Sequence, residues 1–427
     1  IDRHREEILE FARDIYSHAE LGYKEFQTSG KFVKKMEQLG LRTEKGFAIT
    51  GVKAYLNEDK KGNASLALLG ELDALCIPEH AFANPETNAA HCCGHHAQMA
   101  GVFGAALALT VPEIAEKLDG QVVFFATPAE EYGEIEFKNQ LREQGKIRYG
   151  GGKCELLRIG AFDDIDLCLT HHIRPGNEIL VGSGTGNGFV SKVIRVLGKA
   201  SHAAGAPEKG VNALSAASLG LQALGLNRET FRDEDCVRVH PIITKGGNLV
   251  NVIPDEVVVE TLVRGKTIEA FTDAAKKTDR SFKAGAIAMG AKVEISTLPG
   301  YLPTLAEEAL PELKHAAEIS ASGIPVIEAS GHAGGSTDVG DVQHLMPVYT
   351  FNTGGVKGGL HQIDFEVTDE EEAYIVTAKM FALAAYGLLK EKAQRSRELV
   401  DQYEPVFKNS AEYVEFMEQF DSKEIFE

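Results

Sequence analysis

Three apolar runs in this chain end on charged or imidazole side chains, and that pattern restricts the fold more than any other feature. They are "ASLALLGELDAL" (residues 64–75), "GQVVFFATPAEEYGE" (120–134) and "DIDLCLTHHIRPG" (164–176). Each reads as a buried strand. Between the first two lies "QMAGVFGAALALTV" (98–111), which reads as a buried helix rich in Ala, Gly and Leu. Strands alternating with helices indicate a mainly parallel α/β sheet. Ligands of such sheets gather outside the carboxyl ends of the strands, where Asp73, Glu130, Glu131 and His172 stand.

Around this pattern the spacing predicts an amphipathic helix over 23–39 with Gly40 as its stop, then a strand-like run, "GFAITGVKAYL" (46–56). After Gly182 the style changes. "FVSKVIRVLGKAS" alternates like a half-exposed strand and "GVNALSAASLGLQALGL" comes next as a helix. Then come "CVRVHPIITKGG", "EVVVETLVRG", a helix over 267–289 and the strand "AKVEIST". The order β-α-β-β-α-β is the split ferredoxin-like unit. A chain of 427 residues exceeds the roughly 250–300 at which single cores stop growing. We therefore expect residues 1–184 and 300–427 to form one catalytic domain, with 185–299 inserted as a dimerisation or lid domain. The last part should hold a strand leading to His361, a long helix over 369–394 and a helical tail.

Charge narrows the partners. With 44 Lys and Arg against 63 Asp and Glu, the net charge of −19 repels phosphate backbones, so nucleic acid is not expected. The longest apolar run, near 99–111, is shorter than the ~20 residues of a membrane span, so no membrane partner is expected. The opening residues show no basic-then-apolar leader, and Cys76, Cys154, Cys168 and Cys236 are scattered singly. The expected setting is the cytoplasm, where such thiols stay reduced.

The stretch "AAHCCGHHAQMAG" (89–101) crowds two cysteines and three histidines into six residues. With Glu131, His172 and His361 it supplies thiolate, imidazole and carboxylate donors, a mixture that suits zinc first, with manganese or cobalt as alternatives. A lone His or Cys would be read as a packed residue, and paired glutamates as a solvated face. Five such donors, each at the end of an apolar run, point to a metal. In an extended segment neighbours face opposite sides, so Cys93 with His95 or Cys92 with His96 could share a face, and only one of His171 and His172 should turn inward. Alternation alone leaves both sets open.

The ordered motifs "GELDAL", "HCCGHHAQMAG", "TPAEEYGE", "LTHHIRPG", "GKASHAAGAPEKGVNA", "GGNLVNVIPDEV", "GGSTDVGDV" and "GGLHQIDFEVTD" resemble the amidohydrolase branch of the dinuclear-metal aminoacylase/carboxypeptidase G superfamily. Auxin-conjugate hydrolases and p-aminobenzoyl-glutamate hydrolases belong to that branch. The resemblance covers nearly the whole chain. It implies Cys93, His95, Glu131, His172 and His361 as metal ligands, Glu130 as general acid/base, and Asp73 as the carboxylate orienting a ligand. In the inserted domain it implies that His202 polarises the scissile carbonyl in a partner subunit's site. It also implies that Asn251 and Arg264 hold polar groups of the substrate, and that Gly335 and Ser336 line the pocket. The sequence departs from the family at Cys92, commonly Ala, and at His96, usually Asp.

The activity implied by the resemblance is hydrolysis of an amide bond in a small N-acyl amino acid, aminoacyl conjugate or dipeptide-like substrate. A water shared by two divalent ions and activated by Glu130 would carry it out. A homodimer through the inserted domain is expected with it. The alternatives on the same fold are hydrolysis of a carbamoyl or amidine C–N bond, or an inactive metal-binding relative. Retention of Glu130 beside Glu131 counts against the last, because a binding protein has no use for a carboxylate that is not a ligand.

Overall fold

The three apolar runs become the strands Ser65–Glu71, Gln121–Thr127 and Leu167–Ile173 at the centre of an eight-stranded sheet. In the computed structural model, which describes residues 1–427, this sheet belongs to a unit made of Ile1–Gly184, Leu305–Gly331 and Asp341–Ser410. Ser65–Glu71 lies parallel between the other two, and Val348–Thr353 runs parallel beside Leu167–Ile173. One side closes with the antiparallel pair Arg42–Phe47 and Gly51–Leu56, the other with Ile179–Val181 and Val326–Glu328. The run at 46–56 is therefore a hairpin corner and not one strand. Ala48 and Ile49 turn the chain with φ of 45° and 77°.

Every residue of Ser65–Glu71 and Gln121–Thr127 is buried, as expected of strands covered on both faces. The helix His95–Leu109 packs on this sheet and against the helices Arg5–Ser17 and Thr377–Gln402. Surrounded on all sides, it has no need of a polar face, which explains why it is apolar from Met99 onward. The long helix expected over 369–394 runs further, over Glu371–Gln402, with a wide first turn and a break at 390–393, where Glu391, Lys392 and Ala393 take φ of 54°, 62° and 51°. By length and hydropathy it could cross a membrane, but 72% of its apolar window is buried inside the unit, as in a core helix.

The second unit comprises Thr185–Thr304, His332–Gly340 and Ala411–Glu427. Its sheet is built on three long antiparallel strands, Gly188–Leu197 between Glu256–Gly265 and Lys292–Tyr301. The helices Ala213–Asn227 and Ile268–Met289 pack on it, which is the expected α+β arrangement. The fourth strand is split into Arg238–Val239 and Ile242–Lys245, both paired to Glu256–Gly265. Pro241 falls in the gap, where its missing N–H removes nothing from the ladder. The tail departs from expectation. After the helix Ser410–Glu418 it forms a strand, Ser422–Phe426, which pairs with Lys292–Tyr301 and covers that edge of the inserted sheet. Phe420 packs edge-on against Phe271, 5.5 Å away. Edge groups that would otherwise lack partners, and rings that would otherwise be exposed, draw the tail to this unit.

Candidate metal centre

All the donors expected near a metal, Cys93, His95, Glu131, His172 and His361, lie in the first unit. His172 ends the strand Leu167–Ile173, and alternation there sorts the two histidines. His171 turns into the core, 2.8 Å from Thr353 Oγ1 and against the Phe351 ring. His172 turns the other way and brings Nε2 within 3.3 Å of Cys93 Sγ.

Cys93 and His95 owe their common direction to something other than alternation. Gly94 separates them at φ +89° and His95 opens the helix His95–Leu109. A Cβ on Gly94 would sit 2.0 Å from Ile173 Cγ2, so only glycine makes this corner. Once the helix starts, successive side chains diverge by about 100°. His96 accordingly leaves the site: its Nε2 is 3.1 Å from Tyr374 Oη, and its ring lies 5.4 Å from that of His91. Cys92 faces the Ala90 carbonyl inside the core.

Around Cys93 the donors fall into two groups, each with its atoms within 4.8 Å of one another. One is Cys93, His95 and His172; the other is Cys93, Glu131 and His361. His361 Nε2 is 3.2 Å from Cys93 Sγ and 3.0 Å from Glu131 Oε1. A third group, Glu71, His95 and Glu130, shares His95 with the first.

Partners behind the donors fix which atoms face inward. His95 Nδ1 lies 2.9 Å from the Asp73 carbonyl and 3.2 Å from its Oδ1, which leaves Nε2 for a ligand. His172 Nδ1 donates to the Ile173 carbonyl at 2.8 Å, with the same result. Asp73 Oδ2 also accepts from the Glu131 amide at 2.9 Å, so one carboxylate orients two donors. The His361 amide donates to the Cys92 carbonyl at 2.9 Å and pins the distal loop. Although His95 Nε2 and Glu131 Oε1 each lie near another donor, both are buried and without an aligned hydrogen bond. Buried donor atoms crowded together without aligned hydrogen bonds are what a cation would satisfy. Burial, then the Glu131 charge, pushes the Cys93 thiol well above its ordinary value, so a bound cation is what would make it a thiolate. The donor set fits divalent metal.

Glu71 lies in "GELDAL" but is not among the expected site residues, and the structure brings it to the centre. Its Oε2 is 3.1 Å from His95 Nε2 and its Oε1 is 2.5 Å from the buried Lys153 Nζ. Burial opposes its charge, but Lys153 and then His95 outweigh that and hold it below the usual carboxylate range. The signal for Glu71 is its place at the end of the first apolar run, two residues before Asp73; Lys153 leaves none beyond a lysine among apolar neighbours.

His202, Asn251, Arg264, Gly335 and Ser336 all lie in the second unit. His202 is exposed, and its Nδ1 accepts from the amides of Gly205 (2.9 Å) and Ala204 (3.3 Å). In the neutral ring the proton then sits on Nε2, which becomes a donor. Asn251 is held beside it, its carbonyl accepting from the Ala203 amide at 2.9 Å. The Arg264 guanidinium lies 5.7 Å from the centre of the Phe189 ring, directly across the sheet from Arg238. The Gly335 carbonyl accepts from the Asn187 amide at 2.9 Å. The Ser336 hydroxyl is buried without a partner.

Residues 67–386 match the profile of peptidase family M20/M25/M40. The chain is 28% identical to a Xaa-Arg dipeptidase of Mus musculus over 92% of its own length and 85% of that protein's. It is 25% identical to an N-acetyl-L-cysteine deacetylase of Bacillus subtilis, covering 92% of this chain and 90% of that one. A dinuclear metal-binding M20 peptidase from Bacillus subtilis shares its fold with a TM-score of 0.63 at 24% identity, over 91% of this chain and 99% of the other. The chain belongs to peptidase family M20/M25/M40 and is a hydrolase.

Proposed function

We propose that the chain hydrolyses the amide bond of a small N-acyl amino acid, aminoacyl conjugate or dipeptide, with two divalent ions held through Cys93. His95 and His172 complete one site and Glu131 and His361 the other. The observation that carries this reading is the position of Cys93 Sγ, 3.3 Å from His172 Nε2 and 3.2 Å from His361 Nε2, where one thiolate can serve both groups. The thiolate and imidazole donors favour zinc. When bound, such ions lower the pKa of a water toward neutrality and polarise the amide carbonyl.

Within this reading Glu130 takes the proton of the attacking water and delivers it to the leaving nitrogen. Its neighbour Glu131 is committed elsewhere, its amide tied to Asp73 and its carboxylate facing His361. His202 donates its Nε2–H to the carbonyl oxygen as charge develops there, from the inserted unit of a partner copy in a homodimer. Arg264 and Asn251 hold the carboxylate and polar groups of the amino-acid part, beside Gly335 and Ser336. A panel of N-acyl amino acids and dipeptides tests the reading. Wild type should cleave members of it and lose activity to a chelator, and Glu130→Ala should lose at least about 100-fold in kcat. An active Glu130→Ala enzyme would refute the mechanism.

A further inference from the structure

Three overlapping groups of donors are present, but the proposed chemistry uses two. In the third, Glu71, His95 and Glu130, the His95 Nε2 already serves the first ion, so a further cation would be held by the Glu71 and Glu130 carboxylates and would draw Glu130 into coordination. That would remove the base. Something must therefore keep a metal ion out of this group, and the structure offers a specific candidate.

Lys153 is completely buried, and its ammonium donates to Glu71 Oε1 at 2.5 Å. Gln98 Nε2 donates to Glu71 Oε2 at 2.8 Å, and Gln98 Oε1 accepts from the Glu71 amide at 2.9 Å. Both carboxylate oxygens are thus engaged from behind, although Oε2 remains 3.1 Å from His95 Nε2. Lys153 sits in the first turn of the helix Gly152–Arg158, and that helix is fastened to the turn carrying the paired glutamates. The Gly152 amide donates to the Ala129 carbonyl at 2.9 Å, and a Cβ on Gly152 would fall 1.6 Å from the Pro128 carbonyl oxygen. The lysine and the Glu130 turn are placed by the same contact.

We propose that Lys153 is a positioning residue, a built-in cation that occupies Glu71 where a metal ion would otherwise bind, and so keeps Glu130 available to move protons. The inference rests on the dinuclear reading above. It assigns Glu71 no metal-ligand role. A merely structural ion pair would fasten the helix Gly152–Arg158 to the strand Ser65–Glu71 and leave metal behaviour untouched.

The test counts zinc per purified full-length chain by mass spectrometry after dialysis against buffered zinc, and tracks kcat and KM as free zinc rises. Wild type should hold about two ions. Lys153→Met should take up an additional ion at zinc concentrations that leave wild type active, with kcat falling about 100-fold as Glu130 is captured and KM little changed. Lys153→Arg should behave as wild type. Glu71→Gln, and Lys153→Met combined with Glu71→Gln, should hold two ions and show no added inhibition. A folded Lys153→Met enzyme with the wild-type count and zinc dependence would overturn the proposal. So would loss of an ion from Glu71→Gln, which decides the matter even if Lys153→Met does not fold. Wild type without bound metal would overturn the dinuclear reading and this inference together.

Discussion

Adjacent cysteines in one crowded segment should respond very differently to the same change. Cys93 Sγ belongs to both donor groups, so Cys93→Ala reduces each from three protein donors to two. Loss of a partner behind a metal ligand costs about 10- to 100-fold in affinity, so loss of the shared ligand should exceed the upper figure at both ions, more than about 2.7 kcal/mol each. Cys92 is equally buried but lies in the apolar core, with its thiol on the Ala90 carbonyl. Cys92→Ala removes one sulfur from that core, a cost of about 1 kcal/mol, or about 2–4 °C in melting temperature for a unit of this size. Zinc per chain after dialysis and thermal melts separate the two. The expected result is near-complete loss of both ions from Cys93→Ala with its fold retained, and unchanged zinc with a small loss of melting temperature from Cys92→Ala. Equal zinc loss from the two variants, or a Cys93→Ala chain still holding both ions, would refute the assignment of Cys93 as the shared donor.

The strand pair provides a parallel contrast: His172→Ala should release an ion, whereas His171→Ala should keep both and lower the melting temperature, because His171 packs on Thr353 and Phe351. Gly94→Ala must accept φ +89° and a Cβ 2.0 Å from Ile173 Cγ2; it should destabilise by more than the roughly 1–3 kcal/mol of backbone strain alone, and weaken zinc binding through His95. Stability should also depend on Glu307, which accepts from the Thr350 amide and whose carboxyl is pushed up to about 8 by burial. A raised carboxyl binds its proton in the folded state, so stability is lost as pH rises from the ordinary carboxylate value through about 8. Glu307→Gln should therefore melt above wild type in alkaline buffer, with the difference closing in mild acid; a gap independent of pH would contradict the assignment.

Most of the centre was legible because its donors lie where strands end, and strand ends can be read from apolar runs. Period-2 alternation explains His171 against His172 outright, since both are on the strand Leu167–Ile173. The same rule, applied to Cys93 and His95, named a shared face for the wrong reason: Gly94 breaks the chain between them and His95 begins a helix. The helix also accounts for His96, which turns to Tyr374 and away from the donors. Lys153 could not be read at all. Its meaning depends on Glu71, 82 residues earlier in the chain, and a lysine among apolar neighbours is ordinarily taken to reach for solvent. Only the fold shows that this one reaches a carboxylate instead. The tail was hidden for a similar reason, because a short strand such as "SKEIF" acquires its partner from the edge of Lys292–Tyr301 and not from its own pattern. Donors announce themselves by residue type, whereas the groups that hold or exclude a charge behind them are defined by what lies opposite. For that reason the paired charge at Glu71 and Lys153, and not the ligand set, is where the structure adds most to the chemistry.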